Sequence, residues 1–337
     1  MCRSEFSIVP KKSDMKAKLN PQITHVLVML LVAASAVAEE SDQELVKKLN
    51  NPVASLISVP FQSNWDFHMG PLNQGWKYTL NFQPVVPVSL NEHWNLIIRT
   101  IVPYIHQEDV FKAAPPSFPG LPDDLLHRFP ANLRNEAEDV ARRAFDRAAG
   151  KIPNDKYQDG FGDITQSFFL SPKEGINGWT IGVGPVFLYP TATDDKLGTQ
   201  KWGAGPTFVV LQQKGGWTYG LLFNHLWSFA GDNDRRSVNS SFLQPFLSYS
   251  TKSKTTFTLN TESTYDWNES QWTVPVNFTI SQLVRVGKLP VQFAIGGRYY
   301  AEGPSGAPDW GLRFVVTPLF PAGGSHSSTA EMQPSYK

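Results

Sequence analysis

The sequence predicts an all-β protein: a twelve-stranded antiparallel transmembrane β-barrel with a helical insertion in an extracellular loop. Three observations predict it. Twelve stretches alternate apolar and polar residues, the linkers between them alternate short and long, and tryptophans gather at the strand starts. In the clearest stretch, Trp272, Val274, Val276, Phe278 and Ile280 fall on one face, and Thr273, Pro275, Asn277, Thr279 and Ser281 on the other. Successive strand residues point to opposite sides of a sheet, so one side is greasy and the other small and polar. That pairing suits lipid outside and water inside.

The pattern predicts strands over 57–68, 76–88, 94–106, 162–170, 179–190, 201–211, 217–229, 241–250, 255–265, 271–283, 291–300 and 310–320. Most approach the roughly 9–11 residues that a tilted strand needs to cross a bilayer. Tight linkers carry turn formers: Asn91-Glu92, Glu174-Gly175, Gly215-Gly216, Thr251-Lys252 and Gly287-Lys288. The alternate linkers are longer or more polar, with Asp194-Asp195, Asp232-Asn233-Asp234 and the stretch 301–309. An even count with short turns on one side matches periplasmic turns and external loops. Trp76, Trp94, Trp179, Trp202, Trp217, Trp272 and Trp310 lie near strand starts, where aromatic girdles form. A soluble sandwich is the competing reading, but it explains neither the parity nor the strand-end tryptophans. Pro84, Pro185, Pro206, Pro245 and Pro275 conflict with a closed ladder, and bulges or rim positions are the expected resolution.

The insertion, 107–159, has a different character. It is proline-rich over 115–122 and then helical over 132–150, with Leu133, Ala137, Val140, Ala141, Ala144, Phe145 and Ala148 on one stripe. Glu138–Arg142 and Asp139–Arg143 are supportive pairs, Asn132 is placed to cap the start and Gly150 the end. A plug, a lid and a surface helix packed on neighbouring loops all fit.

At the other end of the chain, Lys11, Lys12, Lys16 and Lys18 precede an apolar run over 26–37 and the small-residue site Ala36-Val37-Ala38. This reads as a cleaved signal peptide over 1–38, with Met15 an alternative start. The run is too short for a membrane-spanning helix. A periplasmic segment, 39–56, follows, then the barrel over 57–320 and a polar tail over 321–337. The segment is too small for the folded plug of a larger transporter. Cys2 is the only cysteine and lies in the signal, so a mature chain without cysteine excludes disulfides, zinc–thiolate sites and a cysteine nucleophile. With 30 basic and 30 acidic residues the chain is neutral overall, and nothing marks it as a nucleic-acid binder.

Alternation turns Asp66, Lys77, Arg99, Glu262, Arg298 and Arg313 inward. Inward charges either set the selectivity of a pore or brace it as salt bridges. His225 falls on the lipid face, where outer-membrane phospholipases carry a His and a Ser. Ser228, three residues on, falls on the opposite face, and no other His–Ser pairing stands out, so an enzyme is not expected. Asp194-Asp195 and Asp232-Asn233-Asp234 lack a full calcium-loop pattern and read as solvated acids. Arg235 and Arg236 are candidates for lipid-headgroup phosphates. Gly182 and Gly184 lie in a strand and make no dinucleotide motif. No catalytic residue, metal or cofactor is expected.

Several segments carry a family resemblance: 51–64, 90–96, Gly162-Asp163-Ile164, the run from Gly184-Pro185 through Thr199, 202–206, 227–231, 243–246, 272–275 and Pro308-Asp309-Trp310. In this order they resemble an outer-membrane β-barrel family whose members are loosely labelled "transporter" or "phenol meta-pathway protein", and are sometimes miscalled neuromedin U. The resemblance covers 45–321 apart from the insertion, which is longer than the family's connection. It implies an outer-membrane channel linked to uptake of hydrophobic or aromatic compounds, and supplies no functional residues. The expected protein is therefore a Gram-negative outer-membrane channel for passive or facilitated passage of small hydrophobic or aromatic molecules. Its expected partners are outer-membrane lipids, lipopolysaccharide and the solute. A structural or adhesin barrel and a lipid-active enzyme are the alternatives.

Overall fold

The computed structural model describes residues 41–111, 120–149 and 157–321. The stretch expected to be a signal peptide, with Cys2, and likewise Gly150 and the tail beyond 321, lie outside the described residues.

A short helix, α1 (Asp42–Leu49), comes first. Sixteen strand segments follow: β1 (Leu56–Ser58), β2 (Phe61–Met69), β3 (Gly75–Phe82), β4 (Val85–Ser89), β5 (Trp94–Glu108), β6 (Tyr157–Phe161), β7 (Ile164–Pro172), β8 (Trp179–Tyr189), β9 (Lys201–Lys214), β10 (Trp217–Gly231), β11 (Asn239–Ser250), β12 (Thr255–Thr261), β13 (Ser263–Asp266), β14 (Gln271–Val286), β15 (Leu289–Glu302) and β16 (Trp310–Pro321). Four staves are broken in two, β1/β2, β3/β4, β6/β7 and β12/β13, so the segments make twelve staves. Every pairing is antiparallel between neighbours, and β16 closes the ring on β1 and β2, with Leu56 opposite Pro321 and Trp310 opposite Phe67. The result is a closed twelve-stranded barrel with a helical insertion. Closure removes the unpaired edge that hydrocarbon cannot satisfy.

The wall is inside-out relative to a soluble protein. Along β14, Trp272, Phe278 and Ile280 are exposed on the outer surface, while Asn277 and Ser281 are buried inside. Exposed aromatics collect in two belts. Trp202, Trp227, Trp267, Trp272 and Trp310 ring the end that carries the long loops; Trp94, Trp179 and Trp217 ring the end of tight turns. Such belts mark the two membrane interfaces.

The strand prolines sit where the ladder is already interrupted. Pro84 occupies the gap between β3 and β4. Pro185 faces Pro206 across β8 and β9, and each lies at a gap in the ladder to the strand on its far side. The preceding glycines let those neighbours close in: a Cβ on Gly184 would lie 1.9 Å from the Phe168 carbonyl oxygen, and one on Gly205 1.8 Å from that of His225. Pro245 and Pro275 flank the break between β12 and β13, where the β14–β15 register also shifts. A residue without an N–H costs little where no ladder bond is due.

The two resemblance motifs around Asp163 and 190–199 meet in space. The Asp163 carboxylate accepts from the Ala192 N–H (3.1 Å), the Thr199 N–H (2.6 Å) and the Thr199 hydroxyl (2.7 Å). One half-buried carboxylate thus pins the loop between β8 and β9.

The insertion holds a short helix, α2 (Asp123–Leu126), a 3-10 turn over Ala131–Leu133 and a longer helix, α3 (Arg134–Ala149). Asn132 is not the cap. Pro130 opens a tighter turn in which the Leu133 N–H bonds its carbonyl at 2.8 Å, and Asn132 falls inside that turn. The apolar stripe Leu133, Ala137, Val140, Ala141 and Ala144 faces Leu121, Leu125 and Phe129 of the same insertion across an apolar groove.

Candidate functional site

The site is the lumen, and its lower boundary is α1. Ser41 caps that helix, its hydroxyl accepting from the Glu44 N–H, with acids in the first turn and Lys47 and Lys48 in the last. Leu45 and Val46, each 1% exposed, pack against Leu56, Leu283 and Leu319. Further along, Val53 packs with Ile97, Phe169, Val209, Leu211 and Leu222. Polar ties run across the turn-side mouth: Gln43 to the Lys252 carbonyl (2.6 Å), Gln213 to the Lys47 carbonyl (2.7 Å), Asn50 to Ser250 (2.9 Å) and Asn95 to Ser55 (2.8 Å). Residues 41–55 therefore fold into the barrel mouth. The segment expected to be too small for the folded plug of a larger transporter thus lies across the turn-side mouth as one short helix and its following turn.

Asp42 anchors the helix, accepting from Lys254 at 2.9 Å and Arg285 at 2.8 Å. The hydrogen bond from Lys254, and then the bond and charge of Arg285, hold its carboxyl below the ordinary 3.8. A depressed folded value stabilises docking fully above the unfolded value, and that contribution is lost as pH falls through the folded one. Conductance is expected to rise on acidification below pH about 4 in the native protein. Asp42→Asn should show the raised level already at neutral pH; identical pH curves for the two would contradict this.

Above α1 lie the inward charges. Arg313 (β16) grips Glu262 with two parallel bonds, 2.8 and 2.7 Å, and donates Nε to Asn64 at 2.7 Å. Arg298 (β15) donates Nε to Asn277 at 3.2 Å and pairs with Asp66 at 3.2 Å, its guanidinium carbon 5.4 Å from the centre of the Tyr300 ring. A second Arg298 nitrogen lies 4.0 Å from Glu262 and joins the two pairs. Gly311 makes room for Asp66: a Cβ there would come within 2.5 Å of its Oδ1. Glu262 itself sits in the break between β12 and β13, opposite Pro275, whose carbonyl accepts the Glu262 N–H.

Of the six residues singled out in the sequence, Asp66, Glu262, Arg298 and Arg313 form one network. Lys77 stands opposite Asp66 across the β2–β3 ladder. Arg99 stands apart: its bond is to Gln83, at 3.0 Å. Between this cluster and α1 lies a cavity of about 460 Å³. Leu49 and Asn50 line it at the α1 end, with Arg99, Glu262, Arg313, Phe242 and Phe246 on the wall. None of the described insertion residues lines it. The sequence reading missed the amide partners Asn64, Gln83 and Asn277, because they are identified only by cross-strand register.

Other singled-out groups have local roles. Arg235 donates to the carbonyls of Asp195 and Gly198, each at 2.7 Å, and Arg236 pairs with Asp266 and Glu269, so both guanidinium groups serve the loops. The Asp194 and Asp232 carboxylates accept backbone N–H groups two residues on. His225 does not meet Ser228, whose hydroxyl accepts from the Val238 N–H. It meets Ser241 and Asn239 of the next strand instead, at 2.7 and 3.1 Å, a pairing the sequence reading did not find.

Residues 72–305 match the family model described as "Putative MetA-pathway of phenol degradation". The chain belongs to this family. No curated protein matches it. Among solved structures, the COG4313 outer membrane channel from Pseudomonas putida F1 superposes with a TM-score of 0.52 at 13% identity, over 79% of this chain and 94% of that one. The NanC porin gives 0.42 at 10% identity, over 78% and 98%. Outer membrane phospholipase A from Escherichia coli gives 0.39 at 10%, over 79% and 89%. The first of these likenesses, like the pairing pattern, makes this family member a transmembrane β-barrel in fold.

Proposed function

We propose that this chain is an outer-membrane channel through which small solutes diffuse passively, with preference for apolar or aromatic molecules that carry an anionic head. The observation that carries the reading is the luminal cavity of about 460 Å³, lined by Phe242 and Phe246 and by Arg99. A solute with a flat apolar body and a carboxylate would match both kinds of lining. The six inward charges comprise four cations (Lys77, Arg99, Arg298, Arg313) and two acids (Asp66, Glu262), a net +2. A belt of net positive charge in a narrow passage raises the local concentration of anions.

Reversal potentials in planar bilayers under a KCl gradient test this. Chloride preference is expected, and Arg99→Glu, which takes the belt from +2 to 0, should weaken it. Arg99 is the informative position because the Glu262 network does not depend on it for a hydrogen bond. Cation preference in the native channel would contradict the reading, and so would no effect of aromatic carboxylates on the current.

A further inference from the structure

Outside the lumen, on the wall that faces hydrocarbon, three polar side chains converge. His225 lies in β10 among Phe223 and Trp227, directly opposite Ser241 of β11, and Asn239 lies opposite Trp227. His225 Nδ1 is 2.7 Å from Ser241 Oγ, and Nε2 is 3.1 Å from Asn239 Oδ1. An amide oxygen only accepts, so Nε2 carries the imidazole proton and donates to it. Nδ1 is then bare and accepts the Ser241 hydroxyl proton. That is the arrangement of nucleophile, base and orienting group that acyl transfer requires. The Trp267 Nε1–H donates to Ser241 Oγ at 2.9 Å. It is therefore placed beside any oxygen on a carbon bonded to Oγ.

The setting names the substrate class. Trp227 and Trp267 are half exposed, and with Tyr265 and Trp272 they form the loop-end belt around the cluster. Such belts lie at headgroup depth, which is where the ester linkages of membrane lipids lie. We propose that Ser241, His225 and Asn239 form a membrane-facing acyl-ester hydrolase site acting on lipids of the surrounding leaflet. This activity is separate from conduction and does not require it.

Ser241 Oγ would attack the ester carbonyl carbon. Its proton passes to His225 Nδ1, and the carbonyl π pair moves onto oxygen beside the Trp267 N–H. Collapse of the adduct breaks the ester C–O bond, and the departing alkoxide takes the proton from Nδ1. Water then adds to the acyl-serine with Nδ1 as base, releasing the fatty acid and restoring the hydroxyl. The sum is ester plus water to acid plus alcohol. Asn239 touches only the imidazole and is a positioning residue. A neutral amide holds the tautomer without placing a charge in the hydrocarbon-facing wall.

The test uses the purified mature protein in micelles and in phosphatidylethanolamine vesicles, with fatty-acid release as one readout and sulfonyl fluoride labelling of Ser241 by mass as the other. The native protein is expected to hydrolyse and to label. Ser241→Ala should abolish both, and His225→Ala should lower both by about 10²–10⁴-fold. Asn239→Ala should lower kcat with little change in KM and alter the pH–rate profile, whereas Asn239→Asp, which retains the acceptor, should restore the rate. Heat-dependent electrophoretic mobility confirms that each variant is a folded barrel. A folded native protein that neither hydrolyses nor labels would overturn the proposal. Hydrolysis that persists in Ser241→Ala would also overturn it, while leaving the channel reading untouched.

Discussion

Leu45→Asp with Val46→Asp is expected to raise the conductance several-fold without unfolding the barrel. Each of these side chains is 1% exposed, wedged against Leu56, Leu283 and Leu319. Burying such a side chain is worth about 1.5–3 kcal/mol, and the substitutions replace that gain with two carboxylates facing leucines. The polar ties that remain are partly solvated; the Asp42 side chain is 21% exposed, and pairs of that kind contribute modestly. Docking of α1 therefore rests chiefly on the two apolar residues, with the Asp42 ion pairs adding a smaller share, and without the apolar pair the helix leaves the mouth. Deleting residues 41–55 should give the same conductance as the double variant, because the barrel closes through β1, β2 and β16. Equal conductance in native and double-variant channels would show that α1 does not obstruct the passage.

The second large effect is expected at Glu262. Glu262→Gln should destabilise the barrel by about 3–5 kcal/mol, since it leaves Arg313 enclosed without its counter-charge. The Arg313 side chain is 4% exposed, and after the substitution it keeps only neutral acceptors, the Asn64 amide oxygen and the one remaining oxygen of the Gln side chain, while the amide NH2 replaces the second carboxylate oxygen. Arg298 also loses its more distant acid, 4.0 Å away. Combining Glu262→Gln with Arg313→Met should recover much of the loss, because the charge that made the vacancy costly is gone. The temperature at which the folded band disappears on gels checks both outcomes. An unchanged temperature for Glu262→Gln would show that the network is too hydrated to brace the wall.

These effects depend on features that differ in how far the sequence shows them. Faces were legible because a period of two is local: Trp272, Phe278 and Asn277 declare their sides without any knowledge of the neighbouring strand. Register was not legible, because it is fixed jointly by the loops and by the hydrogen-bond ladder. Arg298 could be turned inward from its own strand, but its bond to Asn277 requires that β14 and β15 be aligned. Nearness in the chain offers His225 only Ser228, which falls on the opposite face, whereas the hairpin brings Ser241 across to it. The strand prolines looked like a conflict from the sequence. They become consistent once Pro245 and Pro275 are seen to frame the break in the ladder at Glu262. For α1 a signal was available: Ser41 with Glu44 is a capping-box pattern, and Leu45, Val46 and Leu49 give it one apolar face.

The fold also orders the functional readings. The polar lumen and its net positive belt concern solutes, the outer wall concerns lipid, and a single β-barrel wall separates them. Arg99 inside and Ser241 outside can thus be varied independently, which keeps the two proposals experimentally distinct.

Single-channel recording of the purified mature protein in planar bilayers, beside a gel showing heat-dependent mobility, tests the central claim most directly. Discrete, anion-selective openings that enlarge when α1 is released are the expected result. A barrel that is folded by the gel and yet silent in the bilayer, with α1 present and with it removed, would contradict it.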